Sequence, residues 1–386
     1  MRKICVFTGT RAEYGIMSRL MRLIKDDNDL QLQIIATNMH LSPEFGMTYK
    51  EIEADGFHID RKVEMLLSSD TSNGTVKSMG LAAIGFADAL EDLKPDLAII
   101  LGDRYEMLVA AESCLIYKVP IAHIAGGAIS EGAYDDAIRH CITKMSHIHF
   151  TETEEYRNRV IQLGEQPEQV FCTGALGVNN IRNEKIMSLE ELEQSLNFKL
   201  GERYLLITFH PVTMEAATAA EQCDNLLEAL SEVNNEYNLL FTLPNSDTDG
   251  RVIIKKINKY VVEHSDKAFA ITSLGKKRYY SALKYAAAVI GNSSSGLVEA
   301  PSFKIPTLNI GDRQKGRTRG ETVVDVPATL QGIKYGLRVV LSTAFKEKSQ
   351  IATNPYEKGN TLENIFNIIK NYPLDGIIQK SFYNLK

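Results

Sequence analysis

Long apolar runs are missing from this chain. No stretch approaches the ~18 consecutive apolar residues that a bilayer-spanning helix needs, so no membrane span is expected. The opening residues, MRKICVFTGTRAEYG, carry too short an apolar run for a secretion signal and lack a small-residue cleavage site. Cysteine is sparse and poorly arranged: Cys5, Cys114, Cys141, Cys172 and Cys223 are odd in number, show no C-x-x-C spacing and have no paired histidines nearby. That excludes a disulfide framework and a structural zinc. An excess of positive charge is also absent. The net charge is −6 with basic residues scattered, which argues against nucleic acid or an anionic membrane as partner. A cytoplasmic protein is the expectation.

What is present is a repeated alternation. KICVFTG, LQLQIIAT, DLAIILGD, VPIAHIAGG, IHFTE and VFCTGA read as buried parallel strands, and stretches such as GIMSRLMRLIKDD and GFADALEDL between them are apolar at helical spacing. The series restarts with RYLLITFHP, YNLLFTLPN, KAFAITSLG, AAAVIGNSSSG and IPTLNIGD. A chain of 386 residues exceeds what one core serves. The expectation is therefore α/β, with two doubly wound Rossmann-like domains facing a central cleft: residues 1–185, residues 200–360, and a closing amphipathic segment, 361–386, packing back on the first domain. Ligands of such sheets bind beyond the carboxyl ends of the strands, and that is where the polar motifs fall.

TGTRAEYG follows the first strand, where a helix start offers backbone N–H groups to an anion and Arg11 a bidentate contact, or where a tight turn simply caps a helix. GDRYE puts Asp103 at a strand end, as a base, a hydroxyl acceptor or a cap. FHPVT ends the second half's first strand with His210, which Pro211 biases towards an extended conformation. In GNSSSGLVEAP, the hydroxyls of Ser293, Ser294 and Ser295 with Gly296 form a row of donors for diphosphate oxygens, or a capping turn. Glu299 falls about two turns into the following helix and faces ribose hydroxyls on that reading. NIGDRQKGRTRG concentrates Arg313, Lys315, Arg317 and Arg319 in one loop, a solvated face or a phosphate clamp. His147 and His149 read as strand residues.

With TGTRAEYG, GDRYE, YDDAIRH, FHP, GNSSSG and IGDRQKGR in this order, the chain resembles the hydrolysing UDP-N-acetylglucosamine 2-epimerases from the first strand to about residue 330. The resemblance implies a fold of the GT-B type and no nicotinamide, metal or other cofactor. It implies loss of the C2 proton, anti elimination of UDP and addition of water, giving free N-acetylmannosamine for sialic acid synthesis. Arg11, Ser293, Ser294 and Arg313 resemble UDP phosphate ligands, Glu299 the ribose acceptor and Asn245 a further nucleotide contact. Asp103 and Asp135 match catalytic carboxylates and His210 the catalytic or diphosphate-orienting histidine; Arg139 and His140 match a supporting pair. A UDP-sugar and a second copy of the chain, as a homodimer, are the implied partners.

The chain departs from many of these relatives at Ala125 and Ala128, where they carry glutamates. Glu131 is the expected substitute, folded back through the freedom of Gly126-Gly127. The same change admits a less polar sugar, UDP-2,4-diacetamido-2,4,6-trideoxyglucose, of the legionaminic acid route, as the alternative to UDP-N-acetylglucosamine. A GT-B glycosyltransferase and a non-catalytic nucleotide-sugar sensor are the competing readings.

Overall fold

A computed structural model describes all residues except 68, 70, 132, 182–183, 213–218, 245–249 and 386. The chain divides into two compact units. The first comprises Met1–Ala128, Asp135–Asn180 and Tyr356–Lys386; the second comprises Ile129–Tyr134 and Ile181–Pro355. The passage at 180/181 and the return at Tyr356 fall a few residues before the limits read from the sequence. The short excursion of Ile129–Tyr134 has no signal in the hydropathy pattern at all.

The first unit is built on a seven-stranded sheet: β1 Arg2–Thr8, β2 Leu30–Thr37, β3 Arg61–Val63, β4 Leu97–Leu101, β5 Ile121–Ile124, β6 Ile148–Thr151 and β7 Val170–Cys172. Every pairing is parallel and the spatial order is β3-β2-β1-β4-β5-β6-β7. Side-chain alternation explains why these strands read as continuous apolar runs. Ile4 and Val6 of β1 enter a core with Met17, Leu20 and Ile24 of helix Arg11–Asp26 and Leu362, Ile365 and Ile369 of helix Thr361–Asn371. Cys5 and Phe7 point the other way, into a core with Phe86, Ala110 and Cys114 of helices Ser72–Leu93 and Tyr105–Ile116.

The last residues of the chain are fixed to this unit beside β6. Lys380 and Lys144 each reach the buried Glu165 carboxylate at 2.6 Å, and His149 Nε2 donates to it at 3.0 Å. The ring of Phe382 fills the space at Gly164, whose φ of 88° and lack of a Cβ are both required there.

The second unit has a six-stranded parallel sheet: β8 Tyr204–Thr208, β9 Asn238–Thr242, β10 Ala268–Ile271, β11 Ala288–Gly291, β12 Thr307–Ile310 and β13 Val323–Val326, in the order β10-β9-β8-β11-β12-β13. Leu205 and Ile207 of β8 pack with helices Ala219–Ser231, Gly250–Glu263 and Leu330–Val340 on one face. Tyr204 and Leu206 pack with helices Leu189–Leu196 and Gly275–Tyr285 on the other. Among the described residues no helix is long and apolar enough to cross a membrane.

Each sheet reverses its winding once, between β1 and β4 in the first unit and between β8 and β11 in the second. These are the positions where open parallel sheets leave a crevice at the strands' carboxyl ends.

Candidate active site

In the first unit the crevice is bounded by the turns after β1, β4 and β5. Asp103 follows β4, and its carboxylate is bound by Arg139 of helix Asp135–Met145. Arg139 is fully buried, and its second nitrogen donates to the Ala128 carbonyl at 2.8 Å and to Asp136 at 3.3 Å. One guanidinium therefore ties the β4 turn, the β5 loop and the acidic helix start together. A buried cation of this kind persists only with such partners. Asp135, half-buried, opens the same helix, where the dipole favours a carboxylate. His140 stands 3.7 Å from Asp136, and burial holds its imidazole below the ordinary value against the opposing field of that carboxylate.

His123, on β5, donates from Nε2 to the carbonyl of Gly102 at 2.8 Å, while Nδ1 accepts from Thr143 Oγ1 at 3.1 Å. Burial lowers this imidazole to about 3, so it is neutral and serves to hold the residue before Asp103. A histidine inside an apolar strand carries no signal of its partner in the sequence.

Two expectations for this unit need correction. The N–H groups of the TGTRAEYG turn are not open to an anion: Gly9 and Thr10 donate to Glu13 Oε2 at 2.8 and 3.0 Å, and Glu13 N donates back to Thr10 Oγ1. The chain's own capping box occupies the position, and its Thr-x-x-Glu spacing was readable. Arg11 is engaged with Glu51 at 2.8 Å. The pair Gly126-Gly127 confers no freedom either. A Cβ on Gly126 would lie 3.0 Å from both His123 Nδ1 and Thr143 Oγ1, and one on Gly127 2.4 Å from the Tyr156 carbonyl, so the loop is packed tightly. Ala125 takes a left-handed φ of 68° at the same place, a conformation that costs a residue with a Cβ.

Beneath the β1/β4 crevice lies a buried ion pair within GDRYE. Glu106 is wholly buried, accepts from Arg104 Nε at 2.7 Å, and would be 2.4 Å from a Cβ at Gly9. Burial first, and the neighbouring Glu106 second, push the Glu13 carboxyl up to about 8.

Glu131 lies in the second unit's segment. Its N–H donates to the Lys315 carbonyl at 3.1 Å and its carboxylate pairs with Lys315 Nζ at 3.0 Å, with about half of each side chain exposed. Arg317 Nε donates to Ser130 Oγ at 3.1 Å, and Ile129 seats against Gly316. The structure thus brings Glu131 to the basic loop after β12.

The second unit's crevice is bounded by the turns after β8, β11 and β12. His210 follows β8 and is buried, its backbone bonded on both sides by the Asn292 carboxamide. Gly291 ends β11 with φ 133°, and any Cβ there would lie 1.9 Å from the Thr208 carbonyl, so only glycine brings the serine loop this close to β8. Ser293 and Ser294 lead into a helix of one turn, Ser295–Val298. Glu299 caps its end instead of sitting two turns in: Pro301 lacks the N–H that would continue the helix, and the chain goes on as a 3-10 turn, Ala300–Phe303. Tyr279 donates to Ser295 Oγ at 2.6 Å, and Ser295 in turn donates to Glu299, whose carboxyl burial raises above its ordinary value. Gly296 permits a close approach to Thr307 of β12, where a Cβ would lie 2.7 Å from Cγ2. Arg313 and Gln314 donate to the Asn292 carbonyl at 3.3 and 2.9 Å. Asn245 lies outside the described residues. No group of three or more His, Cys, Asp or Glu among the described residues is disposed to hold a metal ion.

Two doubly wound parallel sheets, each with its polar residues in the turns at the switch point, define the GT-B-like class of folds. Within it, residues 22–370 match the model of the UDP-N-acetylglucosamine 2-epimerase family, and the chain belongs to that family. It is 43% identical over 385 residues, 100% of this chain and 99% of the other, to the GDP/UDP-N,N'-diacetylbacillosamine 2-epimerase (hydrolyzing) of Campylobacter jejuni. It is 35% identical to the UDP-N,N'-diacetylbacillosamine 2-epimerase (hydrolyzing) of Legionella pneumophila, covering 97% of both chains. The crystal structure of UDP-GlcNAc 2-epimerase from Neisseria meningitidis bound to UDP-GlcNAc has the same fold, with a TM-score of 0.79 at 19% identity over 96% of this chain and 99% of that one.

Proposed function

We propose that this protein is a hydrolysing 2-epimerase acting on UDP-N,N'-diacetylbacillosamine, releasing UDP and the free 2-epimeric sugar for nonulosonate synthesis in the cytoplasm. The observation that carries the reading is the Asp103–Arg139–Asp136 constellation at the carboxyl ends of the first sheet, in a chain 43% identical to a hydrolysing enzyme of that name.

A carbon-bound C2 proton is very weakly acidic, so its removal demands a carboxylate held in place. Asp103, fixed by Arg139 and the His123-bound turn, takes that role. As the proton leaves, the C1–O bond to the diphosphate breaks, its electron pair departs with UDP, and C1=C2 forms. Ser293, Ser294, Arg313 and His210 meet the charge on the departing diphosphate. Water then adds: protonated Asp135 delivers its proton to C2 from the opposite face, the hydroxyl bonds to C1, the proton left by the water restores Asp135, and Asp103 gives up the C2 proton to solvent. Glu299 accepts the ribose hydroxyls. The buried methyl of Ala128 in place of an acidic side chain suits a deoxy sugar bearing a second N-acetyl group.

Incubation in D₂O with UDP-N,N'-diacetylbacillosamine and, separately, with UDP-N-acetylglucosamine tests the reading by proton NMR. Release of UDP with a 2-epimeric sugar deuterated at C2, faster from the diacetamido substrate, is expected. Faster turnover of UDP-N-acetylglucosamine would reassign the substrate. UDP release only when an acceptor is added would overturn the hydrolysing mechanism.

A further inference from the structure

Asn292 is fully buried, yet nothing in its place in the sequence marks it out from the serines that follow. Its carboxamide forms a reciprocal pair of bonds with the backbone of one residue. His210 N–H donates to Oδ1 at 2.7 Å, and Nδ2 donates to the His210 carbonyl at 2.8 Å. Both bonds fix the amide orientation, since a flipped carboxamide would set donor against donor and acceptor against acceptor. β8 ends at Thr208, and Pro211 has no N–H to extend it, so the side chain of Asn292 does for His210 what the peptide of a neighbouring strand does inside a sheet. The backbone of Asn292 completes the arrangement. Its N–H donates to the Thr208 carbonyl at 3.1 Å, and its carbonyl accepts from Arg313 and Gln314. The turns after β8, β11 and β12 thus meet at Asn292, which holds His210 of the first through its side chain and the third through its main chain.

We propose that Asn292 is the positioning residue of the second unit: its carboxamide sets where the His210 imidazole stands, while its main chain, independently, anchors Arg313. This rests on the reading of His210 as part of the reaction. The division predicts a division of effects, because replacing the side chain withdraws the hold on His210 and leaves the carbonyl that receives Arg313. Asn292→Ala removes both bonds. Asn292→Asp keeps the acceptor for His210 N–H but sets a carboxylate oxygen against the His210 carbonyl.

Three measurements on the full chain decide the matter. In N292A and N292D, kcat falls by about ten- to a hundredfold, the scale expected when a reacting group shifts by about an ångström, while the Kd for UDP by calorimetry, to which His210 is one of several contributors, rises by clearly less than kcat falls. With histidine ring labelling, and H210Q to assign the signal, the His210 resonance of N292A moves and the other histidines do not. A kcat near that of the parent, an unmoved His210 signal, or a loss of UDP affinity parallel to the loss of kcat would each overturn the proposal. N292D decides if N292A does not fold. If the parent itself releases no UDP from any nucleotide sugar, the functional reading falls, and the His210 signal alone decides the role of Asn292.

Discussion

Arg139 is bound to Asp103 across 36 residues of sequence, and the pair is buried at its cationic end and open to the crevice at its carboxylate end. Arg139→Met withdraws the charge from Asp103 and Asp136 and the donor from the Ala128 carbonyl together. A loss of about 3 to 5 kcal/mol in urea unfolding is expected, the scale for one partner of a buried pair. Arg139→Lys keeps the charge without the planar fork, so it should unfold close to the parent yet turn over at least roughly tenfold more slowly, as misplacement of Asp103 requires. Equal kcat in both proteins would remove Asp103 from the chemistry.

Glu131 is held by Lys315 at the surface. Such a pair contributes about 0 to 1 kcal/mol. Glu131→Gln is therefore expected to leave kcat within about twofold while Asp103→Asn and Asp135→Asn lower it by about a hundredfold or more, the range for a lost acid or base. Steady-state UDP release on the three variants checks this, and a large loss in E131Q would return Glu131 to the catalytic set.

The Glu13 carboxyl keeps its proton up to about 8 in the folded protein, whereas the unfolded chain releases it near 4.5. Its stabilising contribution is complete below the lower value and is lost as pH rises through the upper one. Glu13→Gln keeps an acceptor for Gly9 and Thr10 and carries no charge to develop beside Glu106. The parent should lose Tm as pH rises from about 5 to about 8, and E13Q should lose less. Parallel curves would show that Glu13 does not titrate there.

Glu165 behaves in the opposite sense. Burial alone would raise its carboxyl, but His149, Lys144 and Lys380 hold it down to about 2. The stability it supplies is present above about 4.5 and lost as pH falls towards about 2. Lys380→Met removes one of the cations and its bonds to the carbonyls of Lys144 and Ser146. A loss of roughly 2 kcal/mol is expected, as for hydrogen bonds to charged groups. Limited proteolysis of K380M should release the segment after Ile377 before the remainder is cut; cleavage at the parent's rate would contradict the role assigned to that lysine.

The strands were legible because parallel sheets bury both faces, and runs such as LAIIL have no other explanation. The turns that bear the chemistry were legible as places, since glycine, serine and charge cluster at strand ends. What each side chain does there was less so. The helix start after β1 reads as open N–H groups for an anion, but the Thr10–Glu13 box occupies that start. Glu299 was carried along a helix that Pro301 stops after one turn. The roles of Asn292 and His123 are hidden from the sequence for a common reason: each acts on the backbone of a residue 82 or 21 positions away, and such a bond leaves no mark on periodicity or composition.

The first unit is assembled from three separated lengths of chain, and the last supplies Leu362, Ile365, Ile369 and Ile377 to the core around β1. On the ribosome this has an order of events attached. The second unit, complete at Pro355, has all its strands in hand while the strand made first still waits for the helix made last. A nascent chain stalled before residue 360 would hold one finished unit and one with an apolar face uncovered, which is the state most exposed to chaperones and to aggregation. Exchange of the two units between relatives would likewise have to move three pieces for the first and two for the second.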